Sequence, residues 1–377
     1  MRIPFNIPFT TGKELNYIQE AIDSGQISGN GMFTKKCQRF FEERYGFKKT
    51  LLTTSCTDAL EMSALLLDIK SGDEIIIPSY TFVSTALAFV RQGAKIVFID
   101  SRSDHPGIDE NKIEKFITAK TKAIVPVHYA GVACDMDKIM EIANRHNLFV
   151  VEDAAHAIDS GYNGKPLGSI GHLAAFSFHE TKNIHCGEGG MLAVNDEKII
   201  ERAEIIWEKG TNRAQFFRGE TDKYQWIDTG SSFLTSDINA AFLYTQIENL
   251  DRIQKRRKRI WEQYYEGLKP LENEKLIKLP LIPEYATNNA NMFYFVCRNK
   301  KERDDLLTYL KENGILAVFH YLSLHKSPYY KDKHDGRDLP NSDRYSDCMI
   351  RLPFYYKLQF NDINKILNSL NEYFRLK

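Results

Sequence analysis

The stretch SFHETKNIHCGEGG, residues 177–190, brings two histidines, a glutamate, a lysine and a cysteine together within its first ten positions. His179 and Glu180 begin the HExxH pattern, in which histidines one helical turn apart hold zinc and the glutamate acts as base. Position 183 is Asn, so the pattern fails. Gly187, Gly189 and Gly190 point to a loop, and spacing supplies no fourth ligand, so no metal site is expected. The lysine has a better partner. Lys182 follows a strand-like run, and the earlier strand LFVVEDAAH ends on Asp153, where open α/β sheets present their ligand sites. A Schiff-base lysine with an aspartate facing a pyridinium nitrogen is what pyridoxal phosphate requires. The aspartate keeps the ring protonated, and the protonated ring draws electrons from a substrate carbanion.

Such a cofactor also needs an anion site and a ring platform. TTSCTDALEMSALL places Ser55, Cys56 and Thr57 between a strand and a helix, where free N–H groups and the helix dipole can meet a phosphate. An ordinary N-cap fits the same residues. In PSYTFVSTA, Phe82 stands at another strand end and could stack on a ring, although an aromatic more often fills a core. Each feature is weak alone; their joint placement at strand ends gives them weight.

The elements that position these residues follow from periodicity. From residue 49, short β-branched runs (TLLTTS, DEIIIP, AKIVFID, KAIVPV, LFVVEDA) alternate with helical ones, including a helix near 109–118. That rhythm predicts βαβ units and a mainly parallel sheet covered on both faces. Two strands close in sequence, LAAFSFH and GMLAVND, come next, then the amphipathic EKIIERAEIIWEKG and a helical region over about 236–270. From about 290 a second unit reads strand FYFVCR, helix KERDDLLTYLKENG, strand ILAVFHY and a terminal helix. The expected organisation is a large α/β domain over 1–250 and a smaller α+β domain over 251–377, with residues 1–35 contributing to a substrate site.

Lys+Arg and Asp+Glu balance at 50 each, with no block of like charges, so neither nucleic acid nor an anionic membrane is an expected partner. The six cysteines form no CxxC pair, as reduced thiols do. The opening MRIPFNIPFTTGKEL lacks an apolar signal core, and no run approaches a membrane span. A cytoplasmic enzyme acting on a small molecule is expected.

In order and spacing, SCTDAL, PSYTFVSTA, VEDAAHA and SFHETKN followed by GEGG resemble the DegT/DnrJ/EryC1/StrS sugar aminotransferases across essentially the whole chain. The resemblance implies the fold type I, aspartate aminotransferase-like architecture and pyridoxal 5'-phosphate as cofactor. Residue by residue, it gives Lys182 the Schiff base and the proton shuttling, Asp153 the pyridine nitrogen and Phe82 the stacking. The backbone of Cys56 and Thr57 with the Ser177 hydroxyl would hold the phosphate, and His156 would lie by the ring hydroxyl. The stretches VPVHYAGVACDMD, KGTNRAQFFRG and AVFHYLSLH resemble the branch that makes dTDP-4-amino-4,6-dideoxygalactose for surface polysaccharide. That branch implies glutamate as donor and dTDP-4-dehydro-6-deoxy-D-glucose, aminated at C4, as acceptor. Amination at C3, or at C4 with the opposite configuration, is the competing outcome; a non-catalytic regulator would be expected to lose Lys182 or Asp153. For the nucleotide sugar, the expected contacts are Ser28 and Asn30 in SGQISGNGMFT, Arg213, His320 and Tyr321. The family also implies a homodimer or larger assembly with shared sites. Many members carry an Asn that reaches the partner's phosphate, where this chain has Leu234.

Overall fold

The computed structural model describes residues 2–376, so Met1 and Lys377 of the two expected domains lie outside the described residues. Strands β1 (Lys49–Thr53), β2 (Glu74–Pro78), β3 (Lys95–Ile99), β4 (Thr121–Ile124), β5 (Phe149–Asp153), β8 (Leu173–Ser177) and β9 (Gly190–Val194) form one sheet; β6 (Gly161–Tyr162) and β7 (Lys165–Pro166) form a separate hairpin. The sheet order is β1-β9-β8-β5-β4-β2-β3. Pairing is parallel from β8 through β5, β4 and β2 to β3, and β9 runs antiparallel to both β8 and β1. The expected α/β class with a mainly parallel mixed sheet is thus the observed one. Strands β2 and β9 are buried throughout, as the apolar runs IIIP and GMLAV require.

Register brings the chemistry to one edge. Ser177 pairs with Gly190, Thr53 pairs with Gly190 from the other side, and Asp153 pairs with Ala175. The C-terminal ends of β1, β5 and β8 therefore meet around the start of β9. Covering helices are set by local chemistry: Ser55 caps Cys56–Leu66 by accepting the Asp58 N–H at 3.1 Å, and Asp135 caps Met136–His146 by accepting that of Lys138 at 3.2 Å. The latter helix buries Met136, Ile139, Ile142 and Ala143, one stripe at helical spacing, each large side chain contributing about 1.5–3 kcal/mol.

The C-terminal sheet is three-stranded and antiparallel, ordered β10 (Ile277–Lys278), β11 (Tyr294–Cys297), β12 (Met349–Arg351). Helices Leu250–Asn273 and Phe360–Arg375 pack its core through Ile260, Tyr264, Leu268, Ile363, Ile366 and Leu370. Tyr80 and Tyr129 join that core from the large-sheet side. No helix among the described residues is long and apolar enough to cross a membrane.

Several boundaries differ from the sequence reading. ILAVFHY forms no strand: Ile315 and Val318 make single bridges to Ile3 and Arg351, and β12 takes the place beside β11. Helix 109–118 shrinks to Glu110–Ile113 plus a 3-10 turn, Glu114–Phe116. The helical region over 236–270 is two helices, Asp237–Ile247 and Leu250–Asn273, because the chain turns at Glu248 and Asn249. TLLTTS joins the sheet antiparallel to β9 rather than through a parallel unit.

Candidate active site

Lys182 lies in the connection between β8 and β9, the antiparallel pair whose link is a folded loop rather than a tight turn. The Phe178 N–H donates to the Gly189 carbonyl at 2.8 Å, the Cys186 N–H to Phe178 at 3.0 Å, the Glu180 N–H to Gly187 at 2.8 Å and the Lys182 N–H to His179 at 2.9 Å. Gly187 turns the loop with φ of +82°, a conformation costly for any residue with a Cβ. Gly190 serves proximity instead, since a Cβ there would overlap the backbone of Ser55 and Cys56. The glycines of GEGG thus press the lysine loop against the β1 turn.

A cavity of about 450 Å³ opens at these strand ends, lined by Cys56, Thr57, Phe82, Asp153, His156, Ser177, Lys182, His320 and Tyr321. The same wall contains Thr85, Asn291 and Arg351, which sequence reasoning missed. Asp153 is 6% exposed. Its Oδ2 accepts from the Thr85 hydroxyl at 2.7 Å and its Oδ1 from the Ala155 N–H at 3.2 Å. With the Thr85 proton committed to Asp153, the Thr81 hydroxyl donates to Thr85 at 2.8 Å, so the carboxylate is aimed by a chain of hydroxyls. Burial pushes the Asp153 carboxyl up, and Thr85, Ala155 and the Lys182 charge pull part of that back.

Burial likewise lowers the Lys182 amine, from 10.5 to about 8, with the Arg351 charge acting in the same direction and Cys56 and Asp153 opposing it. An amine near 8 exchanges protons readily around neutrality. Burial and the Lys182 and Arg351 charges hold His156 well below its usual range, so its imidazole is neutral and its Nδ1 accepts from the Ala130 N–H at 3.3 Å. His320 is driven down mainly by burial, and its Nδ1 lies 3.1 Å from the Tyr129 hydroxyl. Burial raises Tyr321, whose ring sits 5.6 Å from that of Phe82.

These residues fit pyridoxal phosphate. At the start of helix Cys56–Leu66, the Asp58 and Ala59 N–H groups are taken by Ser55, while those of Cys56 and Thr57 have no partner among the described residues. Two open amides on a positive helix end suit an anion. Phe82 is 53% exposed although it lines a cavity, which leaves one ring face for a planar group. Asp153 stands ready for a protonated ring nitrogen.

Ser28, Asn30 and Arg213 do not line the cavity. Ser28 is exposed, Asn30 donates to Glu208 Oε1 at 3.3 Å, and the Arg213 guanidinium lies 4.0 Å from Glu208 Oε2. Leu234 bridges Thr53 and packs beside Gly29 and the core under β1. Of the residues missed, Arg351 left a trace in the sequence as a lone arginine inside the apolar run CMIRLPF. Thr85 and Asn291 left none.

A mixed α/β sheet with this lysine, aspartate and anion cradle at its strand ends defines a fold type I pyridoxal-phosphate enzyme. Residues 9–371 match the model of the DegT/DnrJ/EryC1/StrS aminotransferase family, and the chain belongs to that family. It is 31% identical over 379 residues to the spore coat polysaccharide biosynthesis protein SpsC of Bacillus subtilis, covering 98% of this chain and 96% of SpsC. Among solved structures it is similar to Spr1654 of Streptococcus pneumoniae in its PLP form, with TM-score 0.89, 26% identity and coverage of 99% and 98%, and to the PMP form of the same protein with TM-score 0.90. It is also similar to the aminotransferase TlmJ of Streptoalloteichus hindustanus, with TM-score 0.91, 26% identity and 99% of each chain covered. The chain is a pyridoxal-phosphate-dependent sugar aminotransferase.

Proposed function

We propose that the chain moves an amino group from glutamate to C4 of dTDP-4-dehydro-6-deoxy-D-glucose, giving dTDP-4-amino-4,6-dideoxy-D-galactose and 2-oxoglutarate. The observation that carries the aminotransfer is the buried Lys182, lowered to about 8, in one cavity with an Asp153 aimed by Thr85 and Ala155. The choice of sugar rests on the stretches KGTNRAQFFRG and AVFHYLSLH, the second of which supplies His320 and Tyr321 to the cavity wall.

Pyridoxal phosphate, when bound, supplies an electron sink for the carbanion left as a proton departs from the carbon bearing nitrogen. In this reading the Cys56 and Thr57 amides and the Ser177 hydroxyl hold the phosphate, Phe82 covers one ring face and Asp153 keeps the ring nitrogen protonated. Lys182 takes the donor's α-proton in the first half-reaction and delivers a proton to sugar C4 in the second. His156, kept neutral with Nδ1 accepting from Ala130, donates from Nε2 at the ring hydroxyl without adding charge. Arg351 has no carboxylate partner among the described residues and its Nε is buried without a hydrogen bond. It receives a carboxylate of the amino donor. Ser28 is exposed, Asn30 and Arg213 both reach Glu208, and Arg213 lies over Phe217, which is exposed like Tyr224 and Trp226. A second copy of the chain covers these exposed residues and brings Ser28, Asn30 and Arg213 toward the sugar nucleotide.

The test is incubation of the holoenzyme with glutamate and the keto-sugar beside Lys182→Ala, with the product's amine located by NMR. An axial C4 amine from the wild type alone is expected. A C3 or equatorial amine overturns the sugar assignment, and no aminated sugar overturns the reaction.

A further inference from the structure

Lys182 sits in a loop, so neither a helix nor a strand fixes where its amine points. Its neighbour Asn183 is 4% exposed and fully engaged. The Asn183 Nδ2 donates to Gln254 Oε1 at 2.7 Å and to the Asn289 carbonyl at 2.9 Å, and its Oδ1 accepts from Asn291 Nδ2 at 2.7 Å. Asn289, with no exposed surface, donates from Nδ2 to the carbonyls of His156 at 2.7 Å and Ile158 at 2.8 Å, and accepts the Asn291 N–H at 3.0 Å. Arg257, also buried, closes the arrangement from helix Leu250–Asn273: its Nε and a terminal nitrogen donate to the carbonyls of Ala290 at 3.0 Å and Asn291 at 2.6 Å.

Burying four side-chain amides, one of them Gln254 with its Nε2 unpartnered, and a guanidinium that no carboxylate neutralises among the described residues is expensive beside an apolar core of the same shape. What the interlocking hydrogen bonds give in return is one permitted geometry. Here it docks the Lys182 loop and the turn carrying His156 onto the same short segment, Asn289–Asn291, just before β11. We propose that Asn183, Asn289 and Asn291 are positioning residues for the reaction, fixing the Lys182 amine relative to His156 so that one lysine reaches both the donor α-carbon and the sugar carbon. This rests on the reading of Lys182 as the proton carrier given above. Proton transfer at two carbons tolerates little displacement, since misplacement by about 1 Å costs up to about a hundredfold in rate.

The experiment compares holoenzyme Asn183→Ala, Asn291→Ala and the double variant with wild type, following the pH titration of the cofactor's visible absorbance, kcat, and KM for the sugar nucleotide. Expected are a displaced absorbance midpoint, kcat lower by about tenfold or more with KM within about threefold, and a double variant no worse than the poorer single one, because the pair acts as a unit. Should the alanine variants fail to fold, Gln254→Met removes a single hydrogen bond to Asn183 and is expected to displace the midpoint in the same direction. Folded variants with lowered melting temperature but wild-type midpoint and kcat would make the network mere packing and overturn the proposal. A wild-type visible band that survives Lys182→Ala unchanged would instead overturn the assignment of Lys182, and the network's role with it.

Discussion

The lowered Lys182 amine makes a quantitative prediction for the cofactor-free chain. Capture of pyridoxal phosphate requires the unprotonated amine, so the rate follows its fraction. With a value of about 8, against 10.5 for an ordinary lysine, about a quarter of Lys182 is unprotonated at pH 7.5, compared with about one part in a thousand elsewhere. Labelling with pyridoxal phosphate and borohydride, with the site read by mass spectrometry, should favour Lys182 by about two hundredfold at equal accessibility. The rate should rise with pH to a midpoint near 8. Arg351→Met removes a cation that lowers Lys182, so its midpoint moves up; Asp153→Asn removes an anion that raises it, so its midpoint moves down. Neighbouring charges of this kind shift a buried group by about one unit or more. A wild-type midpoint near 10, or a downward shift in Arg351→Met, refutes the electrostatic reasoning.

Thr85→Val removes the hydroxyl that donates to Asp153 Oδ2; a hydrogen bond to a charged group contributes about 1.5–3 kcal/mol, so cofactor affinity by spectroscopic titration should fall by about tenfold or more. Gly190→Ala drives a methyl into the Ser55–Cys56 backbone, and the variant should lose cofactor retention on dialysis while Gly187→Ala keeps more of it, having open space but a strained φ. Glu152, beneath the site, accepts from Gly168, Ile170 and Gly171 N–H groups at 2.7, 2.9 and 2.6 Å and from His128 Nε2 at 2.9 Å. Burial would raise its carboxyl, but these donors hold it below 4.5. Its stabilisation is therefore complete above the unfolded value and lost as pH falls through the folded one. Melting temperature should drop steeply with acidification below about pH 4.5, and Glu152→Gln should start lower and respond less.

The part of the site legible in the sequence is the part made by strand ends. Asp153 and Ser177 close short strands, Cys56 and Phe82 follow the ends of two others, and the rule that open α/β sheets bind ligands there needs no tertiary knowledge. Thr85 and Asn291 were not legible, because a threonine in a helix and an asparagine in a loop acquire meaning only from what lies across the cavity. Arg351 was visible as an oddity without an address. The failure of ILAVFHY as a strand has a similar origin: its β-branched residues suit a sheet, but β12 occupies the edge of β11 it would have taken. Ser28, Asn30 and Arg213 were read as contacts of the nucleotide sugar; within one chain Asn30 and Arg213 reach Glu208, outside the cavity.

The antiparallel placement of β9 has a consequence for the order of events during synthesis. The helix start at residues 55–57 emerges early, yet the strand that buttresses it begins at Gly190, and the cavity wall is finished only by His320 and Arg351. Contacts this distant in sequence form slowly, after the intervening chain has been ordered. A nascent chain therefore passes through a long interval in which its sheet is open at β1 and its lysine loop has nothing to dock on. The cavity wall is therefore complete only once residues from 55 to 351 have come together.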